Sequence, residues 1–130
     1  MSDFLPPIIT AESVTAGHPD KLCDSISDAI LDACLTKDSE ARVAVETLVK
    51  GMSGEAAIVL AGEVSLNGRA PDYEAIARDT AASIGYTDHS IGMDATSRTR
   101  CKVHTYITTQ SEFISQGVDG DMDSQGAGDQ

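Results

Sequence analysis

A chain of 130 residues, 41% hydrophobic and 4% aromatic with no Trp, has the apolar material for one domain around an aliphatic core of Val, Ile, Leu and Ala. Its formal net charge of -12 and its two Phe and three Tyr argue against nucleic acid as a partner, since phosphate backbones call for cations and single strands for stacking rings. Cys23, Cys34 and Cys101 form no C-x-x-C pair, and neither a basic-then-apolar leader nor a membrane-length apolar run occurs, so a reducing, cytoplasmic setting without membrane contact is expected.

The first predicted element is an amphipathic helix from about Pro19 to Leu35. Leu22, Ile26, Ala29, Ile30, Ala33 and Cys34 recur at three- and four-residue steps, with Asp24, Asp28 and Asp32 on other faces. Pro19 suits the first turn, where its missing N–H is harmless, and Asp20 suits the positive end of the helix dipole. Ala41 to Lys50 reads as a strand with Val43, Val45 and Val49 at alternate positions. Gly51-Met52-Ser53-Gly54 supplies a turn, and Ala56 to Leu66 is a second, nearly continuous apolar strand, so the pair predicts an antiparallel hairpin. Asn67-Gly68 and Pro71 break the pattern. Tyr73, Ile76, Ala77, Thr80, Ala81 and Ile84 then trace a second helix that stops at Gly85. A shorter strand runs from Cys101 to about Thr108.

This order predicts an α+β fold, a small mainly antiparallel sheet with two helices packed on one face. Residues 1–109 form the domain. Residues 110–130, acidic and glycine-rich, read as a mobile active-site loop and the start of a further unit.

Three segments could carry chemistry. Glu12-Ser13-Val14-Thr15-Ala16-Gly17-His18-Pro19-Asp20-Lys21 feeds a glycine turn into a helix start, where N–H groups, His18 and Lys21 attract anions. Asp20 and Glu12 could there hold a divalent cation that bridges phosphate oxygens. On local chemistry alone, a helix-start acid with solvated neighbours is an equal alternative. Glu46 and Glu63 are acids in apolar strands. Solvent is the default destination of such side chains, although Gly62 beside Glu63 allows close backbone approach. Gln110-Ser111, Gln116-Gly117-Val118-Asp119 and Gly126-Ala127-Gly128-Asp129-Gln130 offer glycine turns and polar groups for an amino-acid or adenine edge, although on local chemistry alone an ordinary polar loop is the default reading.

Taken in order, several blocks resemble the methionine adenosyltransferase (S-adenosylmethionine synthetase) family. They are Glu12-Ser13-Val14, Gly17-His18-Pro19-Asp20-Lys21, Ser27-Asp28-Ala29, Ala41-Arg42-Val43-Ala44, Glu46-Thr47, Gly62-Glu63-Val64, Ile84-Gly85-Tyr86 and the three later blocks just named. The resemblance runs from about Thr10 to Gln130. It implies one of the repeated α+β units of that enzyme, at its N-terminal end.

The resemblance further implies an enzyme that forms S-adenosylmethionine from ATP and L-methionine, with release of phosphate and pyrophosphate. It implies Mg2+ and K+ as cofactors, and a homo-oligomer whose active sites are shared between subunits. By the family pattern, His18 is the catalytic contact to the triphosphate, with Lys21 beside it. Asp20 is a magnesium ligand and Glu12 a second one, Glu46 the potassium ligand, Glu63 and Gln110 the methionine-binding pair, and Asp129 a contact to the nucleoside or methionine. The family's basic residues lie in later parts of a chain roughly three times as long, so this stretch alone is expected to be inactive.

The chain departs from the pattern at Glu112-Phe113-Ile114, where the family has Pro-Asp-Ile, and is longer at Thr96 to Arg100 and at Gly51 to Glu55. Two other readings compete. One is a truncated, non-catalytic fragment that only binds nucleotide or metal, or joins full-length subunits. The other is a small acidic metal-binding module with no preference for adenosine.

Overall fold

A computed structural model of the chain describes residues 18–110. Glu12, Asp129 and all of the predicted active-site loop except Gln110 lie outside the described residues.

Helix α1 spans Pro19–Lys37. His18 is its N-cap, with Nδ1 accepting from the Asp20 backbone N–H at 3.1 Å, and Pro19 follows in the first turn. Leu22, Ile26, Ile30 and Cys34, four residues apart, form its buried stripe. At the far end the Asp38 N–H bonds the Cys34 carbonyl. The Asp38 carboxylate accepts from the N–H groups of Glu40 at 2.9 Å and Asn67 at 2.8 Å, tying the helix exit to the chain beyond the hairpin.

Strands β1 (Arg42–Met52) and β2 (Glu55–Ser65) form the expected hairpin. Their antiparallel register runs unbroken from Arg42↔Ser65 to Met52↔Glu55, so only Ser53-Gly54 remain for the turn. Helix α2 spans Tyr73–Ile84, capped by the Asp72 side chain on the Ala75 N–H and ended at Gly85, whose φ of 128° suits glycine. The next segment holds a small antiparallel ribbon that periodicity did not reveal. Its strands are β3 (Thr87–Asp88) and β4 (Met93–Asp94), separated by a 3-10 turn at His89–Ile91. Strand β5 is Cys101–Gln110, about as long as the hairpin strands.

The main sheet has the order β1-β2-β5. Strands β2 and β5 pair in parallel, from Ala56↔Cys101 to Ser65↔Gln110, because α2 returns the chain before β5 begins. The antiparallel pairings of β1–β2 and β3–β4 still dominate the α+β architecture.

Ala56, Ile58, Leu60 and Val64 of β2 are buried beneath the helices with Leu22, Ile26, Ile30 and Ala77. The core is aliphatic, as composition requires, with Tyr73 its only buried aromatic among the described residues. Cys34 and Cys101 lie in it as small hydrophobes, and burial pushes both thiols up.

Arg78 holds the irregular stretch before β5. It donates to Glu74 at 2.9 Å and to the carbonyls of Ala95 at 3.0 Å and Cys101 at 2.8 Å. Arg98 closes on the same Glu74 carboxylate at 2.8 Å.

Candidate functional site

The register sorts the predicted site residues into two groups. Along β1, Val43, Val45, Thr47 and Val49 are half-buried under the helices, whereas Ala44, Glu46, Leu48 and Lys50 are exposed on the other, open face. Glu46 pairs with Ala61, Glu63 lies between Ala44 and Thr108, and Gln110 pairs with Ser65. The three therefore share the open face as a diagonal line across β1, β2 and β5, each step a diagonal pair of neighbours, roughly 7–8 Å apart across the antiparallel pair. Glu46 and Glu63 are exposed, as strand acids ordinarily are, and Gln110 is half-buried.

Between and beside them the open face is apolar. Leu48 is 63% exposed and Tyr106 67%, and Ala57, Val59 and Ala61 of the central strand are partly open. A signal for this stood in the sequence. The nearly continuous apolar run of β2 is the mark of a strand covered on both faces, and among the described residues only one face is covered.

The second group, His18, Asp20 and Lys21, lies at the start of α1. His18 is half-buried, while Asp20 and Lys21 are exposed. Because His18 Nδ1 accepts the Asp20 N–H, it carries no proton in this arrangement, and the ring proton sits on Nε2. That leaves Nε2–H as a donor at a helix N-terminus, where the dipole favours an anion. Lys21 adds a cation in the same turn.

The two groups do not meet within the chain. Helix α1 runs antiparallel to β1: Cys23 lies against the Val49 backbone, Ser27 Oγ is 2.8 Å from Thr47 Oγ1, and Asp38 reaches Asn67. The start of α1 thus lies toward the hairpin turn, whereas Glu63 is level with Ala44 near the other end of β1. At about 3.4 Å per strand residue and 1.5 Å per helix residue, the groups are on the order of 20 Å apart. They also belong to opposite layers of the fold.

Among the described residues no cluster of three or more His, Cys, Asp or Glu converges as a cation cage. Asp20 and Glu46 each present a single carboxylate. That donor set fits a hard cation held mainly by substrate oxygens and water, as magnesium on a triphosphate is, and does not fit an all-protein cage. No helix among the described residues is long and apolar enough to cross a membrane.

The profile of one protein family matches the chain over residues 7–112: S-adenosylmethionine synthetase, N-terminal domain. The match covers both groups of site residues.

Proposed function

Since this chain belongs to the S-adenosylmethionine synthetase N-terminal domain family, we propose that it supplies two complementary parts of a methionine adenosyltransferase active site. In the reaction the methionine sulfur attacks C5′ of ATP in line and the whole triphosphate departs, to be hydrolysed to phosphate and pyrophosphate. Leaving-group charge is the electrostatic problem, and positioned donors and cations answer it.

The start of α1 handles the triphosphate. His18 donates from Nε2–H to a phosphate oxygen, Lys21 adds positive charge, and Asp20, with Glu12 upstream, would hold magnesium. The open face handles the amino acid. Glu63 accepts from the methionine ammonium and Gln110 orients the substrate beside it, while Glu46 would hold potassium and Asp129 would reach the nucleoside or methionine moiety. When bound, the two metals neutralise phosphate charge and order the site. The free thiols and the acidic charge fit a cytoplasmic enzyme.

The observation that carries this reading is the placement of donors suited to a triphosphate and carboxylates suited to an ammonium on opposite layers and ends of one domain. One copy cannot close them on one substrate pair. A second copy seated on the apolar open face would cover Leu48, Val59 and Tyr106 and could supply the triphosphate donors that this copy does not bring to Glu63. The proposed assembly is therefore a homo-oligomer with sites shared between copies.

The test is turnover of ATP and methionine, with magnesium and potassium, by the full-length synthetase that carries this domain. His18→Ala and Asp20→Ala are each expected to lower it by about a hundredfold, the usual cost of one electrostatic contact to a developing charge. Wild-type rates in both variants would reduce the segment to an ordinary helix cap.

A further inference from the structure

Gly62 stands directly before Glu63, in the middle of the central strand, with a φ of +146°. Glycine alone adopts that conformation readily. A Cβ at this position would run into the Ala44 carbonyl oxygen and would crowd the Ala44 carbonyl carbon at 2.9 Å and the Val45 Cα at 3.0 Å, all backbone atoms of β1. None of these can move aside without displacing β1. Yet the register passes through Val45↔Gly62↔Ile107 without a bulge. Gly62 thus holds a backbone conformation closed to other residues while both neighbouring strands stay paired with it, and the residue that follows it is Glu63.

We propose that Gly62 is a positioning residue for Glu63. Its backbone conformation aims the Glu63 carboxylate over the open face between Ala44 and Thr108, toward the ammonium of an amino-acid substrate. The proposal rests on the reading of Glu63 as a methionine contact. An L-residue at 62 rotates β2 back toward an ordinary strand, or pushes β1 away, and in either case redirects Glu63.

Steady-state kinetics of the full-length synthetase separate the possibilities. Glu63→Gln is expected to raise the KM for methionine tenfold or more and to leave the KM for ATP within twofold. Gly62→Ala is expected to show the same selective change, and the double variant to be no worse than Glu63→Gln alone, because one residue acts through the other. Glu63→Asp perturbs only an exposed side chain and keeps Gly62. It is expected to raise the methionine KM several-fold, since a shorter carboxylate leaves the aimed position; an unchanged value here overturns the proposal even if Gly62→Ala does not fold. Three results overturn the proposal: an unchanged methionine KM in Glu63→Asp, an unchanged methionine KM in Gly62→Ala, or effects of the two single changes that multiply in the double variant. An unchanged methionine KM in Glu63→Gln removes the underlying reading of Glu63 itself, and the proposal with it.

Discussion

The cap made by His18 and the phosphate contact proposed for it fall on different ring nitrogens, so they can be separated. Nδ1 caps α1 and Nε2–H is the proposed donor, so a substitution that keeps the cap acceptor but loses the ring donor divides stability from activity. His18→Asn supplies a favoured N-cap oxygen. It is expected to melt within a degree or two of the parent while losing about a hundredfold in turnover. His18→Ala is expected to lose the same activity and about 1 kcal/mol of stability besides. Thermal melts and turnover of the three proteins check this, and full activity in His18→Asn would remove Nε2 from the chemistry.

Asp38 is a purely structural counterpart. Backbone N–H bonds from Asn67, then Glu40, hold its carboxyl below the usual carboxylate range. A depressed folded pKa gives stability that is present above the unfolded value of about 4 and is lost as pH falls through the folded value. Asp38→Ala is therefore expected to lower the melting temperature at neutral pH, with the gap from the parent closing below about pH 4. A gap that persists at lower pH would show that the carboxylate charge is not what holds the corner. At this scale the sequence revealed Pro19 and Gly85 at the helix ends, because those residues have one preferred place. It did not reveal the His18 cap or the Asp38 tie, since the first is an uncommon cap and the second joins residues 29 positions apart.

At the scale of elements, both helices and the hairpin were legible because each repeats one apolar spacing over several turns or strand steps. The β3–β4 ribbon was not, since two-residue strands carry no period. The parallel pairing of β5 with β2 was not legible either, because neighbour choice in a sheet is decided by packing of α2 and not by the strand's own residues. What fixes the entry to β5 is Arg78, whose side chain is 11% exposed and whose guanidinium serves Glu74 and three carbonyls. Periodicity places this residue in α2 but says nothing of its partners. Arg78→Met keeps much of the stem and strands those carbonyls. It is expected to cost on the order of 2–4 kcal/mol in denaturant unfolding, at about 1–3 kcal/mol for each buried group left unsatisfied. Amide exchange from Ala95 to Cys101 is expected to accelerate in the same variant. A cost below about 1 kcal/mol would mean that water replaces the guanidinium there.

At the scale of the whole molecule, the ordered motifs nominated the candidate site residues and the family, but the separation of those residues was not readable. Only the register shows that Glu46, Glu63 and Gln110 share the face that the described residues leave open, while His18, Asp20 and Lys21 sit at the opposite end behind the other. The exposed Leu48, Met52 and Tyr106 on and around that face add an apolar surface that a second copy would cover.

The central claim, a site divided between copies, is tested most directly by complementation. Full-length synthetase carrying His18→Ala and synthetase carrying Glu63→Ala, each nearly inactive alone, are mixed in equal amounts and allowed to exchange subunits, with exchange followed by native mass spectrometry. If His18 of one copy works with Glu63 of another, each mixed dimer holds one site with both lesions and one intact site. Random exchange makes half the dimers mixed, so activity is expected to rise to roughly a quarter of wild type. Mixed dimers that form and show no activity above the parents would place both residues of a site on the same copy, and the divided site would be wrong.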